Sequence, residues 1–256
     1  MVDIHTHILY GVDDGAKNLE MSLDLLEEAE KAGFDKIIFT SHYMEDYFTV
    51  DAERRYRVLA EIDNTKITNT KLYLGNEIFL SENLITLLRE EKAVSLNHTR
   101  YVLFELPFNN KPINLMEMVF QMQSNDFVPI LAHPERYSYF YKTPEVYEEL
   151  VSKGVLLQLN FGSFEGQYGS RAQLMAEKLL KNNLAHFLAT DVHRPGTLYP
   201  RVPWIVEDLN KLVGEEKVLQ LTTINPELVL ENKEIEIPSF TSIKWNFLEK
   251  QKMERR

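Results

Sequence analysis

Apolar and polar positions along this chain alternate between two periods. From Val2 to Leu9 the period is two. Val2, Ile4, Thr6 and Ile8 fall on one side, and Asp3, His5, His7 and Leu9 on the other, as in a strand. Leu19, Leu23, Leu26, Ala29 and Ala32 then recur at helical spacing, and Gly33 closes that helix. The same exchange of short apolar run and amphipathic segment continues. Further strands are predicted at Lys36–Thr40, Lys71–Leu74, Tyr101–Phe104, Val128–Ala132, Val155–Leu159 and His186–Ala189. Helices are predicted from Asp51 to about Ile67, and at Glu82–Glu90, Ile113–Gln123, Pro144–Ser152 and Arg171–Lys181. Seven strands, each followed by a helix or a long loop, point to parallel strands joined by helical crossovers. The length of 256 residues fits one (β/α) barrel.

No repeat, low-complexity tract or linker interrupts the chain before residue 232, so residues 1–256 read as a single domain. From Glu231 the sequence turns polar, with Pro238 and a basic end, Lys250-Gln-Lys-Met-Glu-Arg-Arg256. Residues 232–256 are expected to form a solvated tail lying loosely on the outside.

Composition narrows the function. At 44% hydrophobic the chain can bury a sizeable core, and its net charge of −11 disfavours nucleic acid as a partner. There is no cysteine, which removes disulfides, thiolate metal sites and cysteine nucleophiles. No apolar run reaches membrane-span length, and the N-terminus lacks the pattern of a signal peptide. A cytoplasmic protein that does not span a membrane is expected.

The chemistry lies in where ligand-type residues fall. His5 and His7, two apart in a strand, project together as a metal claw. Asp13, Asp14 and Gly15 follow in a turn that adds carboxylates beside it. His42, Glu77, Glu105, His133 and Asp191 each end a predicted strand, the rim where parallel barrels build active sites. Unpaired charges buried there would cost several kcal/mol each, by a general estimate of about that size, and a metal cluster removes the cost. Five of the seven histidines (His5, His7, His42, His133 and His193) fall in these motifs. His98 reads as a loop or surface residue and His186 as a strand residue.

The motifs Asp3-Ile-His-Thr-His7, Thr40-Ser-His42, Gly75-Asn-Glu77, Phe104-Glu-Leu-Pro107, Ala132-His-Pro-Glu-Arg136 and Thr190-Asp-Val-His193 occur in an order that resembles the PHP (polymerase and histidinol phosphatase) superfamily. Within it, the Ala-His-Pro-Glu-Arg box and the Val-Asp-Asp-Gly turn make the chain similar to bacterial PHP-type protein-tyrosine phosphatases of capsule and exopolysaccharide operons. The resemblance covers residues 1 to about 230. It implies a distorted, TIM-like barrel of seven β/α units with the active site at the C-terminal ends of the strands. It also implies three divalent ions, manganese first, with iron, zinc, magnesium or cobalt as alternatives. By the same likeness, His5, His7, Glu77 and Asp191 surround the first metal. Glu77, Glu105 and His133 hold the second, with Glu77 bridging, and Asp14, His42 and His193 hold the third. Spacing alone does not choose Asp14 over Asp13. Arg136 is implied as the phosphate ligand, and a second arginine follows at Arg194 or Arg201. The implied partner is a phosphotyrosine protein, the tyrosine-rich tail of a bacterial tyrosine kinase.

The chemistry expected is hydrolysis by a water shared between two metals, with Arg136 steadying the phosphate. His42 and Asp191 are further catalytic candidates, since a metal-site histidine or Asp191 could protonate the leaving group. A tyrosinate, with a pKa of about 10, needs only modest help. A small-molecule phosphoesterase such as histidinol-phosphate phosphatase is the nearest alternative. A nuclease-like module and a non-catalytic metal-binding regulator are less well supported.

Overall fold

The computed structural model describes residues 1–254. Strands and helices alternate along the chain: β1 Val2–Asp3, α1 Leu19–Lys31, β2 Lys36–Phe39, β3 His42–Tyr43, α2 Ala52–Asn64, β4 Lys71–Leu74, β5 Glu77–Phe79, α3 Leu84–Arg89, β6 Tyr101–Glu105 and α4 Leu115–Ser124. The second half continues with β7 Val128–Ala132, α5 Glu145–Ser152, β8 Leu156–Asn160, α6 Phe161–Phe164, α7 Ser170–Lys181, β9 Phe187–Ala189, α8 Val202–Val213, α9 Glu215–Leu219, α10 Asn225–Leu230 and α11 Phe247–Glu254. Every strand pair is parallel. β1, β2 and β4 form a three-stranded sheet, and β3, β5, β6, β7, β8 and β9 a six-stranded one.

Nine strands among the described residues replace the seven expected, because the second and third expected runs extend past their apolar residues into a second, shorter strand. The chain leaves the small sheet at Thr40–Ser41 and at Gly75–Asn76, then rejoins the large sheet as β3 and β5. Hydrogen bonds cover both breaks. Thr40 N–H donates to the Thr6 carbonyl at 2.9 Å, and Glu77 N–H donates to the Thr40 carbonyl at 3.1 Å. The Asn76 side chain donates to the Ser41 carbonyl at 2.7 Å and accepts from Val94 N–H at 2.9 Å. Gly75 lets the chain pass close to Leu96, since a Cβ there would lie 2.9 Å from Leu96 Cδ2 and 3.2 Å from Leu96 Cα.

The expected strand Val2–Leu9 is regular only at β1. Beyond it Asp191 N–H donates to the His5 carbonyl at 2.8 Å and His7 N–H to the Val192 carbonyl at 3.0 Å. Thr6 and Val192 form an isolated parallel bridge. The first segment thus lies beside the end of β9. Val2, Ile4, Ile38, Leu103, Ile130, Leu156 and Phe187 pack in one buried cluster to which both sheets contribute. A larger cluster joins the strands to the helices around them.

Helix α1 forms for reasons visible in its sequence. Asn18 caps it, its side chain accepting from Met21 N–H at 3.0 Å, a contact of about 1 kcal/mol. Leu25, Leu26 and Ala29 are its buried face.

The tail departs from expectation. Ile235, Ile243 and Met253 are buried. Glu148 on α5 accepts from Ile243 N–H at 3.0 Å and from Ser242 Oγ at 2.8 Å, and Lys178 on α7 pairs with Glu249 at 2.8 Å. Ile243 and Met253, too sparse to signal burial from sequence, join the larger cluster, and Ile235 joins the one between the sheets. Arg255 and Arg256 of the basic end lie outside the described residues. Among the described residues no helix is long and apolar enough to cross a membrane.

Candidate metal centre

The broken strands decide where the ligand-type residues stand. His42 and Glu77 do not end their strands, as expected from sequence, but open β3 and β5, where they are paired in register. Glu105 ends β6. His133 follows β7 and Asp191 follows β9, both with positive φ (35° and 54°), which turns each side chain off the ladder line.

Three groups of ligand atoms result, each with its atoms within 4.8 Å of one another: His5, His7, Glu77 and Asp191; His42, Glu77 and Glu105; His7, Asp14, His42 and His193. His133 Nε2 lies 2.9 Å from Glu77 Oε1, so it joins through Glu77 rather than standing directly in a group with Glu105. His42 takes the place beside Glu77 and Glu105 that sequence gave to His133, and it also reaches the Asp14 group. Asp14, not Asp13, faces the Nε2 atoms, 3.6 Å from that of His42 and 3.4 Å from that of His193.

Asp13 has another task. Its Oδ2 accepts from His7 Nδ1 at 2.7 Å and from His42 N–H at 2.9 Å, and its Oδ1 accepts from Gly15 N–H at 2.9 Å. His5 Nδ1 is 2.8 Å from Gln158 Oε1, and His193 Nδ1 is 2.9 Å from the Asp191 carbonyl. Each partner is an acceptor, which assigns the proton to Nδ1 and leaves Nε2 of His5, His7 and His193 with a lone pair facing inward. Gln158 donates in turn to Asn160 Oδ1, and Asn160 to Asp191 Oδ2, both at 2.8 Å. Sequence reasoning missed this outer layer. Gln158 and Asn160, two apart at the end of a buried apolar strand, were the available signal.

The electrostatics are those of a crowded site. Burial opposes a charged ring at His5, but Glu77 and Asp191 outweigh it and raise its pKa. His7 is raised further, Asp13 overcoming burial, and His42 is pushed up to about 10, Glu77 overcoming burial there. Burial favours the neutral acids at Glu77 and Asp191, yet His5 above all holds both well below the usual range. The His193 ring beside it lowers Asp14 to about 2. Glu77 Oε2, His42 Nδ1 and His133 Nδ1 are buried with no hydrogen-bond partner. The first two sit 3.0 Å apart but are misaligned for a hydrogen bond. The Nε2 atoms of His5 and His7 face each other at 3.3 Å. A cation that takes the place of these ring protons meets converging lone pairs, and a set of imidazoles and carboxylates suits manganese, iron, zinc or cobalt. The residues fit a multinuclear metal centre.

A cleft of about 530 Å³ opens over these groups, lined also by Met44, Phe79, Phe108, Arg136, Tyr168 and Arg194. Arg136 Nη1 donates to Asp191 Oδ2 at 2.8 Å. Its neighbour Glu135 is wholly buried and accepts instead from Asn160 N–H and Ser163 Oγ. Arg194 lines the cleft and donates to the Gly15 carbonyl at 2.6 Å, whereas Arg201 pairs with Glu165 at 2.7 Å and does not line it. A cavity of similar size, about 570 Å³, lies around His186 at the opposite end of β9 and holds none of these ligands.

Comparison with known proteins agrees with this geometry. Residues 1–231 match the family model described as capsular polysaccharide synthesis, CpsB/CapC. The chain is 31% identical to the tyrosine-protein phosphatase YwqE of Bacillus subtilis, covering 92% of this chain and 93% of that one. It is 26% identical to the tyrosine-protein phosphatase CpsB of Streptococcus pneumoniae, over 90% and 98%. A crystal structure from work on those two proteins, described as metal-dependent tyrosine phosphatases, superposes with a TM-score of 0.84 at 30% identity, covering 94% of this chain and all of that one (100%). A lactonase from Listeria monocytogenes shares the fold alone, with a TM-score of 0.62 at 12% identity. By its sequence over residues 1–231 the chain belongs to the CpsB/CapC family.

Proposed function

We propose that this protein is a metal-dependent protein-tyrosine phosphatase. The observation that carries the reading is the convergence of His5, His7, Asp14, His42, Glu77, Glu105, His133, Asp191 and His193 on the floor of an open cleft beside Arg136. Three divalent ions, manganese first, would be held by His5, His7, Glu77 and Asp191, by Glu77, Glu105 and His133, and by Asp14, His42 and His193. When bound, such ions supply Lewis acidity, activating water near neutral pH and offsetting phosphate charge. The split strands support a distorted barrel of seven staves, two of them broken, closed where Thr6 meets Val192.

The chain's own groups do the rest. Arg136 commits one Nη to Asp191 and offers its remaining N–H groups to non-bridging phosphate oxygens, a match of planar fork to oxyanion. Arg194, anchored on Gly15, is the second arginine at the cleft. Asp191 is held ionised, so it suits accepting a proton from water better than giving one to the leaving group. A tyrosinate of pKa about 10 departs with little protonation. The substrate would be a phosphotyrosine protein, and we favour the tyrosine-rich tail of a cytoplasmic-facing tyrosine kinase that governs capsular or exopolysaccharide synthesis.

The test is turnover of a phosphotyrosine peptide, with histidinol phosphate and single-stranded DNA as controls. Chelation should abolish turnover and added manganese restore it. Full activity after verified metal removal would refute the reading.

A further inference from the structure

The floor of the cleft is charged, but one wall is aromatic. Arg136 is sandwiched there, its guanidinium carbon 4.2 Å from the Tyr168 ring centre on one side and 4.7 Å from that of Phe108 on the other. Phe108 also stacks on the His133 ring, with centroids 5.5 Å apart and planes 20° apart. Tyr168 is fixed from behind by Asn160, whose side chain is 3.3 Å from its hydroxyl. The two aromatics differ in what they leave open. Phe108 is 41% exposed although it is a large apolar side chain, and it lines the cleft beside the arginine that faces the phosphate.

We propose that Phe108 is a specificity determinant that selects aryl over alkyl phosphomonoesters, and that Tyr168 is a positioning residue that holds Arg136. The inference rests on the phosphatase reading. With the phosphate on the floor, the group carried by its ester oxygen must leave past the wall next to Arg136. A phenyl ring there covers the open surface of Phe108 in an offset or edge-to-face contact. A primary or secondary alkyl group has no such face and gains little. Tyr168 packs on the far side of the guanidinium, so it acts on every substrate alike through Arg136, by fixing the plane of the fork.

The experiment compares kcat/KM of the metal-loaded enzyme for p-nitrophenyl phosphate, O-phosphotyrosine and glycerol 2-phosphate, with metal content measured on each variant. The readout is the aryl-to-alkyl ratio, which cancels any loss shared through Arg136. Phe108→Ala should lower that ratio by about threefold to tenfold, chiefly through KM for the aryl esters, the scale of one aromatic pair. Phe108→Trp should restore it. Tyr168→Leu should lower kcat/KM for all three while keeping the ratio, and Tyr168→Phe should stay close to wild type. A ratio unchanged in Phe108→Ala, with the wild type hydrolysing all three esters, would overturn this inference and leave the phosphatase reading standing. Wild-type protein that hydrolyses none of them would overturn both.

Discussion

Replacing Asp13 by Asn changes one atom in a residue that need touch no metal, yet it should weaken metal binding. Both carboxylate oxygens of Asp13 are acceptors: Oδ2 for His7 Nδ1 and His42 N–H, Oδ1 for Gly15 N–H. An amide can offer an acceptor on one side only. If its oxygen faces His7, its NH2 opposes Gly15 N–H. If its oxygen faces Gly15, its NH2 opposes the ring, and His7 must move its proton to Nε2, the atom that faces Glu77 and Asp191. Either outcome removes a hydrogen bond between a buried carboxylate and its donor, worth about 1.5–3 kcal/mol. Loss of an outer partner of a metal-ligating histidine costs roughly 10- to 100-fold in affinity, or about 1.4–2.8 kcal/mol, and the two figures agree. The assay is manganese titration followed by turnover of a phosphotyrosine peptide at each metal concentration. The half-saturating manganese should rise by that factor while kcat at saturation recovers to within a few fold. Wild-type manganese dependence in Asp13→Asn would refute the argument that Asp13 sets the His7 proton.

Three further outcomes are expected. Glu77→Gln removes the charge common to two ligand groups, so metal content by elemental analysis should fall and turnover approach zero while far-ultraviolet circular dichroism stays native; retained metal and rate would exclude a bridging role. Arg136→Ala should keep its metal but lose about 10²-fold in kcat on a phosphotyrosine peptide, the scale of one transition-state donor, and Arg136→Lys should recover only part of it. Burial depresses His186 from 6.5 to about 3, so the unfolded chain binds the extra proton and stability falls as pH drops below 6.5. Between pH 7 and pH 5 that loss is about 2 kcal/mol, and His186→Gln, compared in urea melts at both pH values, should lack it.

Much of this molecule is readable from residue order, and the unreadable parts share a cause. The helical spacing of Leu19, Leu23, Leu26, Ala29 and Ala32 places α1, and the apolar runs place β6, β7 and β8, because burial against neighbours imposes a local period. The candidate ligand residues stand out because polar side chains beside such runs need a partner. The breaks at Thr40–Ser41 and Gly75–Asn76 do not, since a strand that ends and a strand that changes sheets look alike until the bonds from Thr6 and Val94 are known. Asp13 and Asp14 are likewise equivalent in order and opposite in direction, and only the turn on Gly15 separates an orienting carboxylate from one that faces the Nε2 atoms. The tasks of Gln158 and Phe108 depend on His5 and Arg136, both distant in the chain, and Phe108 carried no local signal of its own.

The pairing of Thr6 with Val192 also fixes when the site can exist. Residues that must meet are separated by almost the whole domain, and such contacts form late because the loop between them has to be closed first. His5 and His7 emerge at the beginning of the chain, Asp191 and His193 after most of it. Until β9 is made, β1 has its partner β2 on one side only, and the groups that need Asp191 or His193 are incomplete. The full set of candidate ligands therefore comes together only when the end of β9 docks beside the first segment.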